Sequence, residues 1–591
     1  MADRLPGLKL LRTYRRSWLR RDVVAGLALT ALLVPQGMAY AELAGLPPVT
    51  GLYTTVLALV AYAAFGPSRI LVLGPDSALG PLIAAAVLPL VGADGDPTKA
   101  VALAGMLALL MGAICILGGA ARLGILAELL SRPVRVGFLN GIALVVIVGQ
   151  LPALFGFSTD ATGLVAEARA FATGVRDGET VGAALGIGIA SLVVIFACRV
   201  LVPKVPGVLV AVVGSIVAVA WLGLAAHGVP VVGPIPSGFP APTVPHVSSH
   251  DLGALVVAAV GMALVTLADT TTLSRSLAAQ RGERVDANRE MTALGIANVA
   301  AGFFQGFPVS ASASRSAVAE SVGSRTQLTG VVAAAATVAV LLFAGGLGRD
   351  LPTAALAAIV IAAGVILFDA TSLRWLWKVR RSELFLSLAA LAGVAVLGPL
   401  EGIAVAIALS LADFVRRAWR PYDAILGRIA DRKGYHDVDR HPEAEQIPGL
   451  VLYRFDAPLF FANAELFADR LLAAVHSRGD VIRWVIVAAE PITDVDTTAV
   501  GVLSELLDDL EAEGIELAFA ELKGPVKDRL AAYGIADRIP EARCFPTLGT
   551  AIDGYLRATG SVWIDWKGRH PDDGPADGAA PGAPDPTEPR G

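Results

Sequence analysis

Long apolar stretches dominate this chain and leave few folds open to it. Between Asp22 and Ala418 they recur between short loops, near 23–44, 51–66, 77–92, 100–120, 135–155, 182–202, 206–226, 252–275, 290–305, 314–322, 328–346, 353–369, 382–397 and 401–418. A helix needs about 20 mostly apolar residues to cross the hydrocarbon core of a bilayer. Inside lipid each backbone amide must find its partner within the segment, so these runs read as helices. Two of them, 77–92 and 314–322, are short, and each follows an extended stretch broken by Gly and Pro.

Charge content agrees. Only 17% of the 591 residues are charged, against about 25% in soluble domains. That excludes a soluble enzyme and a disordered chain. A net charge of −5 argues against a nucleic-acid partner, which calls for clustered Lys and Arg. Cys115, Cys198 and Cys544 stand far apart without a C-x-x-C pair, and the histidines avoid the apolar runs, so neither a zinc site nor another metal or cofactor is expected.

Basic residues set the expected topology. Arg4, Lys9, Arg12, Arg15, Arg16, Arg20 and Arg21 precede the first run, which is too long and lacks the cleavage site of a signal peptide. Arg132 and Arg135, the stretch 275–289, RWLWKVRR (374–381) and 416–420 mark further basic loops. An even number of crossings with both termini cytoplasmic satisfies all of them. The stretch 228–248 has no Lys or Arg and reads as an external loop between halves.

Beyond Tyr422 the pattern changes. Strands VLYRF, RWVIVAA and IELAFAE interleave with amphipathic helices at 465–477, 497–513, 525–534 and 547–558, which predicts a small α/β domain. The expected organisation is a basic N-terminus (1–21), a membrane domain (22–420), a linker (421–446), the α/β domain (447–559) and a disordered Pro/Gly/Asp-rich tail (560–591).

Four places in the membrane region carry polar chemistry. Pro35 breaks the backbone ladder of the first run beside Gln36. This reads either as a kink satisfied locally or as a polar wall of a cavity. Gly74-Pro75 ends an extended run, after which Asp76 and Ser77 resemble an N-cap. In GFPVSASASR (306–315) the alternation predicts a strand with Ser310, Ser312 and Ser314 on one face, ahead of a helix opened by Arg315. Small residues there could serve close packing alone, but an Arg at membrane depth costs too much for that. Interrupted segments in corresponding places of two halves point to a transporter site, with helix N-termini aimed at an anion. Finally, Asp269 stands in an apolar helix. It reads as a proton or cation site, or as a helix-end carboxylate paired with Arg275.

These residues resemble the sulfate permease (solute carrier 26) family of anion transporters. The resemblance rests on VPQGMAYAELAGLPPVTGLY (34–53), GPSRILVLGP (66–75), ERVDANREMTALGIANVAAGFFQGFPVSASASR (283–315), SRTQLTGVV (324–332) and LPTAALAAIVI (351–361). The soluble part resembles a STAS domain, with ITDVDTTAVGVL (492–503) as its signature. The resemblance implies fourteen transmembrane segments in a seven-plus-seven inverted repeat. Segments 1–4 and 8–11 would form a mobile core, and 5–7 and 12–14 a gate.

It also implies an anion site at Gln36, at Asp76, Ser77 and Ala78, and at Ser312, Ser314 and Arg315. Asp269, together with Asp76, would carry a coupling proton rather than sodium. Thr497 matches the phosphoacceptor of bacterial STAS proteins, although an N-cap role for Asp496 or Thr497 is the better-supported physical reading. The expected protein is a homodimeric secondary transporter, surrounded by lipid in a bacterial inner membrane. Its substrate would be sulfate, bicarbonate or a dicarboxylate. An uncoupled anion channel or exchanger and a nucleobase transporter of the same fold are the alternatives. Four departures bear on substrate: Asp76 follows the Gly-Pro, Ala311 and Ala313 replace the usual Gly and Phe, and Thr50 replaces an aromatic or amide.

Overall fold

The computed structural model describes residues 7 and 13–563 apart from 93–94, 124–130, 160, 162, 203–204, 235, 237, 280, 344, 430–431, 480 and 562. Arg4, Lys9 and Arg12 and nearly all of the acidic tail lie outside the described residues. The chain divides into two units, Met1–Leu411 and Ala412–Gly591.

All fourteen apolar runs are helical. The first half contains α1 (Leu19–Leu43), α2 (Pro48–Phe65), β1 (Leu73–Gly74), α3 (Gly80–Val91), α4 (Pro97–Ala120), α5 (Arg132–Gly149) with its continuation α6 (Leu151–Phe155), α7 (Leu164–Arg176), α8 (Gly182–Leu201) and α9 (Gly207–Leu222). The second half repeats the plan: α10 (Ser249–Ala279), α11 (Ala287–Phe303), β2 (Ser310–Ala311), α12 (Ala313–Ser321), α13 (Leu328–Phe343), α14 (Thr353–Leu367), α15 (Ala370–Val379), α16 (Arg381–Leu397) and α17 (Pro399–Trp419). Among the described residues, seven helical stretches have the length and composition to cross a membrane, and three apolar helices (80–91, 207–222 and 328–343) are shorter.

Packing reveals the repeat. α1 packs on α13 as α10 packs on α4; α2 packs on α13 as α11 packs on α4. In the same way α5 packs on α16 and α14 on α8. The first set of helices is the core and the second the gate of a seven-plus-seven inverted repeat. An odd number of crossings in each half makes the second half enter from the opposite side.

Glycine permits the closest of these approaches. Gly105 and Gly112 on α4 face Gly302 and Gly295 on α11, and a Cβ on Gly112 would lie 2.7 Å from the Gly295 carbonyl oxygen. With the glycines seven residues apart on each helix, the two backbones touch over two turns, as small residues allow in membrane bundles.

Asp22 fixes another junction. It is fully buried, and its carboxylate accepts hydrogen bonds from Arg325 N (2.7 Å), Thr326 N (3.2 Å), Thr326 Oγ1 (2.6 Å) and Thr329 Oγ1 (3.3 Å). A side chain from α1 thus holds the turn that leads into α13, accepting from two loop amides and from the Thr326 hydroxyl, which in turn takes the Leu328 amide of the helix.

The second unit holds a six-stranded sheet of order β4-β3-β5-β6-β7-β8, formed by β3 (Asp423–Arg428), β4 (Tyr435–Asp437), β5 (Leu450–Phe455), β6 (Trp484–Ala488), β7 (Glu516–Ala520) and β8 (Cys544–Phe545). β5 to β8 run parallel, while β3 pairs antiparallel with both β4 and β5. Period-two alternation sorts β6: Val485 and Val487 join the core under α18 (Ala464–His476) and α19 (Thr497–Ala512), whereas Trp484 and Ile486 pack against α20 (Leu548–Thr559). The stretch 421–446, read from sequence as a linker, carries β3 and β4. Their short, interrupted pattern hid them.

Candidate functional site

Two segments break the helical ladder at corresponding places, and they break it against each other. β1 and β2 pair antiparallel, Leu73 with Ala311 and Gly74 with Ser310. Ser312 N adds a bond to Val72 O at 3.1 Å, and Val72 N donates to Ser316 Oγ at 3.0 Å. Extended backbone is tolerated at membrane depth only when buried in protein or lining a cavity, and here it does both. The strand expected over 309–313 is only two residues long. Ser314 falls in the first turn of α12, although its hydroxyl still meets that of Ser312 at 3.2 Å.

The strands lead into a cavity of about 880 Å³. Gln36, Asp76, Ser77, Ala78, Asp269, Ser312 and Ser314 all line it. Thus seven residues named from sequence, spread over nearly 280 positions, meet at one space. Pro35 and Gln36 lie inside the continuous α1.

Arg315 is different. It does not line the cavity but lies behind the strand pair, only 1% exposed. Its Nη2 is 3.4 Å from Gly74 O and 3.9 Å from Asp76 Oδ2, while Nε and Nη1 have no hydrogen-bond partner among the described residues. A Cβ on Gly74 would come within 2.9 Å of Nη1, so glycine is what lets the guanidinium lie along the strand. The helix starts at Ala313, which turns position 315 inward rather than toward the cavity.

Asp76 faces both ways. Its Oδ1 accepts from Ala78 N at 3.0 Å, so the amide that the resemblance offers to an anion is engaged by the chain's own carboxylate. Leu79 and Gly80 bond back to Asp76 O, and α3 begins only at Gly80. The N-cap expected at Asp76–Ser77 is therefore a turn ahead of the helix.

Asp269 pairs with Arg135, whose Nη1 lies 3.8 Å from Oδ1 and donates to Thr272 Oγ1 at 3.0 Å. The cavity wall also holds Tyr40, Arg132, Asn140, Arg199 and Asp369, none of which the sequence reading had assigned to a site. Asn140 was legible as an amide in the middle of an apolar stretch. In the sequence, Arg132 and Arg135 read only as markers of a basic loop.

A further buried carboxylate stands away from the cavity wall. Glu290 is fully buried, hydrogen-bonded by the Tyr62 hydroxyl and by Ser274 Oγ (2.8 Å). Standing at the edge of an apolar run, it looked interfacial.

A model of the sulfate permease family matches residues 19–390. The chain belongs to that family. A STAS domain model matches residues 441–551, so this sulfate permease relative carries a membrane unit and a STAS unit. A protein of Mycobacterium tuberculosis named as a probable sulfate transporter is 44% identical over 552 residues, covering 93% of this chain and 98% of its own length. The high affinity sulfate transporter 2 of Stylosanthes hamata is 30% identical over 573 residues, covering 93% and 86%. In fold, the chain resembles murine solute carrier 26 member A9 in its inward-facing state (TM-score 0.86, 23% identity, 94% of each chain). It also resembles the transmembrane domain of the cyanobacterial bicarbonate transporter BicA (TM-score 0.58, 24% identity, 67% of this chain and 98% of that one). Members of the sulfate permease family are transporters rather than enzymes, and this chain is a multi-pass anion transporter.

Proposed function

We propose that the chain is a proton-driven symporter of a small oxyanion, sulfate before bicarbonate or a dicarboxylate. One observation carries the reading: neutral donors from both repeats and the Arg135–Asp269 pair line one cavity. Gln36, Ser77, Ser312 and Ser314 supply hydrogen bonds to the anion, along with the Ala78 amide when Asp76 releases it. Arg315 supplies a fixed positive charge from behind the strand pair. A proton on Asp269 removes the countercharge of Arg135 and leaves that guanidinium to the incoming anion. Asp76 plays the corresponding part for Arg315.

Alternating access then follows from the core helices sliding against the gate, an elevator motion in which Arg135 on α5 and Asp269 on α10 part and meet. Within this reading the protein is a homodimer of the bacterial inner membrane with both termini cytoplasmic. Residues 22–420 transport, and the STAS region, 447–559, regulates. Asp496 serves there as a helix cap, and Thr497 is the position at which a phosphoryl group would act.

The test is uptake into proteoliposomes of sulfate, bicarbonate, chloride, fumarate and uracil, with and without an imposed pH gradient. Sulfate accumulation driven by an inward proton gradient is expected. Uptake indifferent to the gradient would overturn the coupling, and a preference for another solute would overturn the substrate.

A further inference from the structure

RWLWKVRR, read from sequence as a basic loop, lies in the helix α15 as far as Val379, and that helix is capped by Asp369, whose Oδ1 accepts from Ser372 N at 2.9 Å. Leu376 is its buried anchor, at 3% exposure. Trp375 and Trp377 are 50% and 62% exposed, which leaves half or more of each side chain uncovered by protein. Residues four apart lie on one line of a helix. Arg374 and Lys378 therefore form an exposed basic stripe, and helical spacing puts Trp375 on one side of it and Trp377 on the other.

Each indole carries a further cation. Arg132 Cζ lies 5.7 Å from the Trp375 ring centre and Arg381 Cζ lies 5.7 Å from that of Trp377. Across the surface the order is guanidinium, indole, basic stripe, indole, guanidinium. The one acid between Ala370 and Glu383 is Glu383 itself, paired with Arg380 at 3.1 Å.

We propose that α15 is a docking surface for anionic phospholipid headgroups. Tryptophan favours the headgroup level of a bilayer, where its ring is half apolar and half wet. Basic side chains beside a membrane attract acidic lipids. A free anion would engage the stripe but leave both rings in water, whereas a lipid covers them with its glycerol and upper acyl chain. The helix is also tied to the cavity. Asn140 Oδ1 accepts from Asp369 N at 2.6 Å, Asn140 Nδ2 donates to Asp369 O at 3.4 Å, and Asp369 and Ser372 line the cavity wall. A headgroup held on α15 thereby steadies one rim of the transport cavity.

Energy transfer from tryptophan to a dansyl-labelled lipid tests this with the full chain in phosphatidylcholine nanodiscs. Labelled phosphatidylglycerol should give severalfold more transfer than labelled phosphatidylcholine. The excess should vanish in Arg374→Gln/Lys378→Gln. It should persist in Arg169→Gln/Arg176→Gln, which removes the same charge from the exposed face of α7. If the first variant does not fold, the exposed Arg381→Gln alone should lower the excess. No excess in the parent protein, an equal loss in the α7 control, or abolition of the excess by inorganic phosphate at the lipid's concentration would each overturn the proposal.

Discussion

Arg135, one turn into α5, lies 3.8 Å from Asp269, deep in α10, so one ion pair joins a gate helix to a core helix at the cavity wall. The two substitutions should separate. Asp269→Asn should abolish accumulation against a gradient while counterflow continues. Arg135→Gln should chiefly raise KM, by roughly tenfold for the loss of about 1.5 kcal/mol from one charge-assisted contact. Radiolabelled uptake and counterflow on the same vesicles check both.

Asp22 predicts a stability defect far from the cavity. Asp22→Ala leaves the amides and hydroxyl of the turn before α13 without their acceptor, at a cost of about 2 kcal/mol. The thermal midpoint in detergent should fall, with KM unchanged in the protein that remains folded.

Glycine substitutions offer an internal comparison. A Cβ on Gly51 would lie 1.9 Å from Gly37 O, while one on Gly186 in α8 meets nothing within 4 Å. Gly51→Ala should destabilise by about 1–3 kcal/mol through overpacking. Gly186→Ala should be neutral or stabilising by up to about 1 kcal/mol. Melting curves of the two variants beside the parent decide it.

In the STAS unit, Asp496 does two things. Oδ1 accepts from Ala499 N and Oδ2 from Phe461 N, each at 2.8 Å. Asp496→Ala should cost about 1–2 kcal/mol, whereas the exposed Thr497→Ala should stay within about 0.5 kcal/mol. Hydrogen exchange at the first turn of α19 reports the difference.

Periodicity accounts for how much was readable. An apolar run of transmembrane length has little choice but to be a helix, and β5, β6 and β7 announced themselves by alternation. The helices α7 and α15 did not, because a short amphipathic helix and a polar loop look alike in composition. Charges were harder still. Asp22, Arg135 and Glu290 sit at the ends of apolar runs, where a side chain can turn to water or inward. Only the packed partner decides which: the turn before α13 supplies amides for Asp22, α10 a carboxylate for Arg135, and α2 a phenol for Glu290. Arg315 was conspicuous in sequence, yet its direction hung on a two-residue shift in where α12 begins.

The pairing of Leu73 with Ala311 and Gly74 with Ser310 is a seam of four residues, stitched where lipid offers no replacement bonds. Neither edge can come loose alone without stranding the amides of the other. The two repeats therefore answer for one another at their most polar point. A change made on one side of the seam should be felt on the other, and the pocket inherits the stiffness of both.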